Sequence, residues 1–202
     1  MPKVQHQIRL FAAACLGLIL LACGTQGPLL NSERIAETFG SYGVDVIQAN
    51  DEGRVSSLYS LSGGEKITRT FAVVTYTGQA RRAFSSEHAA VVSGQSLGAV
   101  FKSAGWEIDK VNIFVGEMEI PQKYGLLAEL MQLDLPQFLA AHAYQFIIRK
   151  DGRSYDYARI VELHHPGYLS VADLEAIYGE IVFDDSDRST VDDYIDPKIW
   201  KN

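Results

Sequence analysis

The most specific catalytic pattern in the chain is a serine flanked by two glycines. Residues 94–98 read GQSLG, with Ser96 at the centre. Glycine on both sides permits the tight, strained turn that exposes a nucleophilic hydroxyl, so this spacing could serve nucleophilic catalysis. Such a serine also needs an acid and a histidine base, and Asp134 followed by His164 or His165 supplies them in a workable chain order.

The pattern resembles the nucleophile elbow of α/β-hydrolases, in which the serine joins a strand to a helix. The surrounding residues favour a different structure, because apolar side chains recur at helical spacing and predict one continuous helix over 86–104. The neighbouring strands also pair as hairpins, so no parallel sheet is expected. Two interpretations stay open. Either Gly94 and Gly98 are small positions where another element approaches closely, or Ser96 is the nucleophile of a small serine hydrolase.

Histidines supply a candidate zinc site. His164 and His165 end a predicted strand and could bind a metal ion together with His88 or His142. Adjacent residues of a strand point to opposite faces, however, so the two neighbouring histidines cannot readily bind one ion. We therefore expect no zinc site at this strand end.

Aspartates near the C-terminus imitate the oxygen spacing of a calcium loop. Asp185, Asp187 and Asp193 could supply carboxylate ligands at its first, third and ninth positions. Thr190 replaces the glycine required at the sixth position, and Asp196 replaces the longer bidentate glutamate at the twelfth. A solvated acidic tail is therefore the default expectation for this segment, and a metal site is not.

Two glutamates form the last candidate. Glu117 and Glu119 alternate on one predicted strand and face the same side, where they could act as paired carboxylates. Acids on the solvent face of an antiparallel strand are far more common than catalytic pairs. The sequence also has no phosphate-binding loop, dinucleotide fingerprint or Cys/His cluster, so no cofactor is expected.

Hairpins and helices would position these residues. Turn signals such as the paired glycines at 63–64 and the Asp-Gly at 151–152 predict hairpins. We expect strands over 44–49, 55–61, 67–77, 106–120, 144–148 and 155–163, and helices from Asn31 or Ser32 to Gly40 and over 124–133, 136–143 and 171–178. This pattern predicts an α+β fold, a single domain with an antiparallel sheet built from hairpins and helices packed on one face.

Charge excludes one class of partner. The chain carries 18 Lys and Arg against 25 Asp and Glu, a net charge of −7. Loss of Lys3 and Arg9 with an N-terminal signal would lower it to −9. An acidic domain gains nothing from phosphate backbones, so nucleic acid is not expected as a partner. For the same reason, contact with anionic lipid should not come from the surface charge of the domain.

The N-terminus carries an export pattern. A positively charged start precedes an uncharged apolar run over 10–22, which is shorter than the roughly 20 residues of a spanning helix. Residues 20–23 (LLAC) resemble the lipobox of bacterial lipoproteins. The resemblance implies that the Cys23 thiol takes a diacylglyceryl group and becomes the new N-terminus. Leu21 departs from the pattern, which more often has a small or β-branched residue there.

The resemblance also implies a location. Gly24 after the cysteine indicates sorting to the outer membrane, and the acyl chains would anchor the protein there with the domain facing the periplasm. Cleavage would remove Cys15, which leaves no second thiol for an internal disulfide. The expected organisation is a signal peptide over 1–22, an acylated tether over 23–30, a globular domain over 31–183 and an acidic tail over 184–202.

The expected role follows from these patterns together. A membrane-anchored envelope lipoprotein with a non-catalytic binding or scaffolding role fits them best, and an envelope protein is the expected partner. The small serine hydrolase with Ser96 as nucleophile is the alternative. A simple secretory signal, with Cys23 incidental, is the alternative for the N-terminus.

Substitution Cys23→Ala tests the anchor. Without the thiol no acyl chain can be attached, so the protein should move from the membrane fraction to the periplasmic fraction or persist as an unprocessed precursor. Fractionation with an antibody against the domain measures this, and Cys15→Ala is the matched control. Mature Cys23→Ala protein that stays in the outer membrane would show that the lipidation assignment is wrong.

Overall fold

The computed structural model describes residues 29–181 except positions 79, 121, 123 and 135. Within this part the chain forms six strands and six helices. In chain order these are α1 (Asn31–Phe39), β1 (Gly43–Ala49), β2 (Gly53–Ser62), β3 (Glu65–Tyr76), α2 (Ala80–Ala83), α3 (Ser85–Val92), α4 (Leu97–Ser103), β4 (Glu107–Ile120), α5 (Gly125–Met131), β5 (Gln137–Lys150), β6 (Arg153–His164) and α6 (Val171–Tyr178).

The strands form one antiparallel sheet in the order β1-β2-β3-β6-β5-β4. Each half is a meander of consecutive hairpins, and the pairing of β3 with β6 joins the halves. The turns are those that the sequence predicts, because Gly63 and Gly64, and then Asp151 and Gly152, all have positive φ. The predicted α+β class and antiparallel hairpin sheet are confirmed.

Five of the helices lie on one face of the sheet, which we call the helix-covered face. Ala72 and Val74 of β3 point to this face, where Ala72 packs against α1 and Val74 against α3 and α4. The opposite face carries Phe71 and Val73, which pack against α5. The predicted one-sided arrangement therefore holds for the other helices, and α5 is the exception.

The sheet curves around the core on the α5 face. Ile47 of β1 and Ile113 of β4 lie on the two edge strands, yet both pack against the same core cluster. Each is the extra residue of a register irregularity, one between Val46 and Gln48 and the other between Asn112 and Phe114. Bulges strengthen the local twist of a strand, and these two lie where the edge strands contribute to that core.

The single helix predicted over 86–104 is wrong. The helix ends at Val92 and a second one begins at Leu97, because Gly94 has φ +111° and cannot continue a helix. The close approach predicted for the glycines is confirmed at Gly98. A Cβ built there would lie 2.9 Å from Leu30 Cδ1, so the absence of a side chain lets the start of α1 pack on α4.

The short helix predicted over 136–143 is also wrong. These residues begin β5, and they pair on one side with β4 and on the other with β6. Two flanking strands satisfy the backbone of this alanine-rich segment, so tertiary pairing overrides its local helix preference. The capping of the last helix is as predicted, since the Ser170 hydroxyl accepts from the Asp173 backbone N–H at 3.2 Å.

Phe71→Ala should test the core on the α5 face. Phe71 is fully buried in the central strand β3, so removal of its ring should lower the free energy of unfolding by about 3–5 kcal/mol. Phe138→Ala is the matched control, because Phe138 of β5 is 57% exposed and its loss should cost less than about 1 kcal/mol. Urea unfolding measures both, and equal losses would contradict this sheet register.

Candidate functional site

The helix-covered face carries buried polar side chains where the two halves of the sheet meet. We call these residues the polar cluster: Asn31, Thr70, His142, Tyr144, Glu162 and His164. The register brings them together, because Thr70 of β3 pairs with His164 of β6. His142 of β5 pairs with Glu162, which lies two residues before His164 on β6. The cluster therefore lies in the middle of the sheet, where each polar group needs a partner.

Glu162 is the acid at the centre of the polar cluster and is only 4% exposed. Its Oε1 accepts hydrogen bonds from the Tyr144 hydroxyl and from Asn31 Nδ2, both at 3.2 Å. Its Oε2 has no hydrogen-bond partner among the described residues, and no lysine or arginine among them forms an ion pair with it. A buried carboxylate without a counter-charge is costly, because it has lost its water.

His142 is neutral and lies opposite Glu162. Asn112 Nδ2 donates to the Tyr178 carbonyl at 3.2 Å, so Asn112 Oδ1 is left to accept from His142 Nε2 at 2.8 Å. The ring therefore carries its hydrogen on Nε2 and turns the Nδ1 lone pair towards Glu162 Oε2, 4.0 Å away. Burial is the main cause that lowers the pKa of His142 to about 2. The two groups are facing acceptors and do not form an ion pair.

His164 and Asn31 tie the first helix to the sheet. His164 Nδ1 and Asn31 Nδ2 both hydrogen bond to Thr70 Oγ1, at 3.0 and 3.1 Å. The Tyr168 hydroxyl donates to Asn31 Oδ1 at 2.8 Å. Burial lowers the pKa of His164 to about 4, although the charge of Glu162 acts in the opposite direction. Asn31, predicted as a possible helix cap, instead belongs to this network.

The second buried charge is Arg54 of β2, which is also 4% exposed. Its Nη1 donates to the carbonyl oxygens of Val91, at 2.7 Å, and Gln95, at 2.9 Å. These carbonyls lie at the end of α3 and in the link to α4, where a cation is favoured by the helix dipole. Arg54 Nε has no hydrogen-bond partner among the described residues, and none of their carboxylates pairs with the guanidinium. Burial lowers the pKa of Arg54.

A small cavity brings the two buried charges to one space. This inner cavity is lined by both Arg54 and Glu162, and its volume is about 60 Å³. Since a water needs about 10–15 Å³ by this measure, there is room for roughly four to six. Tyr42, Ser96 and Lys110 also line the cavity and add hydroxyl groups and a second cation.

A larger apolar groove lies beside the inner cavity. This outer groove has a volume of about 630 Å³. Its apolar and aromatic lining is Leu29, Leu30, Trp106, Ile108, Ile177 and Tyr178, and its charged and polar lining is Lys102, Glu107, Asp109, Lys110 and Asn112. Leu30 and Lys110 line both spaces, so the groove and the cavity meet at these two side chains. Lys110 Nζ lies over the Tyr144 ring, 4.2 Å from its centroid, which holds the cation at the junction.

Ser96 lies in a different setting from the predicted nucleophile. It follows a helix and occupies the N-cap position of α4, so it does not join a strand to a helix. Ser96 lines the inner cavity together with Tyr42, while His164 bonds to Thr70. Asp134 is an exposed loop residue on the way into β5. The described contacts thus do not join Ser96 to its predicted base and acid.

His165 is likewise placed apart from Ser96 and from a metal site. Its backbone N–H donates to the Arg69 carbonyl at 2.9 Å, and its Nδ1 accepts from the Gly167 N–H at 2.8 Å. Burial lowers the pKa of His165. His88 lies elsewhere, where its Nδ1 hydrogen bonds with the Tyr157 hydroxyl at 2.8 Å.

No group of three or more metal-binding side chains comes together within the part of the chain that the structure describes. Glu117 and Glu119 are both exposed on edge strand β4, as two acids on a solvent face would be. The lipidation candidate Cys23 and the calcium candidates Asp185, Asp187, Asp193 and Asp196 lie outside the described residues.

The two buried charges were missed by reasoning from motifs. A sequence signal existed at Glu162, because a single acid stands within the otherwise apolar β6 segment IVEL. Charged residues are rarely buried without a reason, so an acid in a central strand is informative once that strand is recognised. Arg54 gave no such signal, since it directly follows the turn glycine Gly53 and lies just before the predicted strand over 55–61.

The chain matches no protein-family model and no curated protein. Among solved structures it resembles the C-terminal domain of Yurk from Bacillus subtilis subsp. subtilis str. 168, with 14% identity, a TM-score of 0.38, and coverage of 63% of this chain and 90% of that one. It also resembles the PhnF C-terminal domain, with 12% identity, a TM-score of 0.41, and coverage of 71% and 79%. These likenesses concern the fold and carry no statement about function.

Over the described residues, no helix has both the length and the apolar character needed to cross a membrane.

The buried histidines should make stability depend on pH. Their folded-state pKa values, about 2 for His142 and about 4 for His164, lie below the ordinary value of about 6.5. Below pH 6.5 the unfolded chain therefore binds more protons, and stability falls as pH falls towards 4. Each histidine contributes up to about 1.4 kcal/mol per pH unit.

Urea unfolding between pH 7 and pH 5 measures this slope. His142→Gln removes one of the two groups, so its slope should be shallower than that of the native chain by up to about 1.4 kcal/mol per pH unit. The slope is compared rather than the absolute stability, which the substitution also changes. Parallel pH profiles for the two proteins would show that His142 is not held neutral.

Proposed function

We propose that this chain is an envelope lipoprotein, anchored in the outer membrane through Cys23, whose domain is a non-catalytic binding module. The lipobox resemblance of residues 20–23 supports the anchor. The tether over 23–30 is short, with a reach on the order of 15 Å, so the module would work close to the membrane.

The observation that carries the binding role is the pair of buried charges around one cavity. Arg54 and Glu162 are each 4% exposed, and each keeps one polar atom without a partner among the described residues. A domain selected for stability alone would pair these charges or replace them with apolar residues. Polar groups that converge on a cavity beside an apolar groove are instead typical of a ligand site.

The geometry favours binding over hydrolysis. Ser96 lines the inner cavity beside Tyr42, and none of the described hydrogen bonds joins it to a histidine base. A serine nucleophile needs a base within hydrogen-bond reach, so Ser96 is better suited to line the cavity and contact a bound molecule. Scaffolding on an envelope protein is the other form of the proposed role. The following experiments separate ligand binding, scaffolding and hydrolysis.

Native mass spectrometry tests the binding module. The full-length protein, extracted from membranes in mild detergent, should carry a bound small molecule. Ala72→Leu should lose that mass, because Ala72 lines the inner cavity and the larger side chain would fill it. Ala99→Leu is the matched control, since Ala99 is exposed on α4. Retention of the same mass by both variants, or bound protein without any small molecule, would contradict a cavity ligand.

A fluorophosphonate probe tests the hydrolase alternative on the same preparation. We expect no covalent labelling of Ser96, because nothing in its described contacts raises the nucleophilicity of its hydroxyl. Ser96→Ala is the control for any background labelling. Labelling of the native chain that disappears in Ser96→Ala would overturn the non-catalytic role.

A further inference from the structure

We propose that the inner cavity binds the zwitterionic head of an apolar α-amino acid, with its carboxylate at Arg54 and its ammonium at Glu162. The side chain of this ligand would extend into the outer groove. The inference rests on the proposed binding function and names the chemical class of the ligand.

Arg54 and Glu162, which have opposite charges, both line the cavity, and neither forms an ion pair with a described lysine, arginine, aspartate or glutamate; Lys110 is a second cation in the lining. The Arg54 guanidinium is held by two main-chain carbonyls through Nη1, which leaves Nε without a hydrogen-bond partner among the described residues. Glu162 Oε1 accepts hydrogen bonds from two neutral donors, whereas Oε2 accepts none from the described residues. A ligand with one positive and one negative group would supply what each lacks, whereas a simple anion would leave Glu162 without a partner.

The sheet keeps these two charges apart. Arg54 of β2 pairs with Val74 of β3, which in turn pairs with Ile160 of β6. Glu162 therefore lies two strands from Arg54 and two residues beyond the β6 residue that is in register with it. Strands are about 4.8 Å apart, which separates the two backbones by roughly 10 Å. The side chains therefore project over one face towards a common space, and none of the described contacts joins them as an ion pair.

The volume selects the size of the head group. Room for roughly four to six waters suits the few non-hydrogen atoms of an amino acid head, namely the ammonium nitrogen, the α-carbon and the carboxylate. A phosphate diester with an ethanolamine arm would need considerably more space. The hydroxyls of Tyr42 and Ser96 also line the cavity and are available to the carboxylate.

The outer groove selects an apolar substituent. It meets the inner cavity at Leu30 and Lys110, and side chains such as Trp106 and Ile108 line it further out. A side chain that leaves the α-carbon past Leu30 would enter this apolar space. Burial there contributes about 25 cal/mol for each Å² removed from water, so a large side chain should strengthen binding.

Isothermal titration calorimetry on the full-length protein in detergent micelles tests the proposal with defined probes. L-leucine and L-phenylalanine should bind. N-acetyl-L-phenylalanine, which lacks the ammonium, and phenethylamine, which lacks the carboxylate, should each bind at least tenfold more weakly than L-phenylalanine. Equal affinity for L-phenylalanine and either analogue would overturn the zwitterion.

Glu162→Gln locates the ammonium. The substitution keeps the shape of the side chain, so affinity for L-phenylalanine should fall at least tenfold while that for N-acetyl-L-phenylalanine should not fall. Glu119→Gln is the matched control, because Glu119 is exposed on β4, and it should leave both affinities unchanged. Unchanged binding of L-phenylalanine to Glu162→Gln protein would overturn the assignment.

The two proposals fail in different ways. A small molecule of another class that is retained by the native chain and lost in Ala72→Leu, with no binding of either amino acid, would overturn the zwitterion and leave the binding module standing. Native protein that carries no cavity-dependent ligand and binds neither amino acid would overturn both.

Discussion

Two opposite charges buried on one face of the sheet, and not paired with one another, are the constraint on which the rest of the structure depends. Moving an ion out of water costs several kcal/mol even after the protein has relaxed around it. Arg54 recovers part of that cost from two carbonyls at the α3–α4 link, and Glu162 from Tyr144 and Asn31. Both residues line the inner cavity, which makes the space between them polar.

The placement of the helices follows from the hydrogen bonds that Arg54 and Glu162 form. The Arg54 guanidinium bonds to carbonyls on both sides of Gly94, whose turn separates α3 from α4. Asn31 joins α1 to Thr70 and Glu162, and Gly98 lets the start of α1 pack closely on α4. The helices thus cover the cavity because they supply hydrogen-bond partners for Arg54 and Glu162.

The hairpin sheet could be predicted from the sequence because its signals are local. Gly63–Gly64 and Asp151–Gly152 set the turns, and the capping box at Ser170 sets the start of α6. One error, at 86–104, arose from the backbone of Gly94, and the other arose where distant contacts decide the structure. The segment 136–143 has an alanine-rich, helix-favouring composition and becomes a strand only because β4 and β6 lie on both sides of it.

The site was harder to predict than the fold for the same reason. The GQSLG pattern around Ser96 gave a strong local signal, but the structure places that serine between two helices, where it lines the inner cavity. Arg54 and Glu162 lie more than 100 positions apart in the chain and meet only through the pairing of β2, β3 and β6. No spacing rule within either segment connects them.

A crystal structure of the protein grown with L-phenylalanine would test the central claim most directly. We expect the carboxylate within hydrogen-bond distance of Arg54 Nε and the ammonium within hydrogen-bond distance of Glu162 Oε2, with the ring in the outer groove. A direct ion pair between Arg54 and Glu162, with only water in the cavity at saturating amino acid, would contradict it.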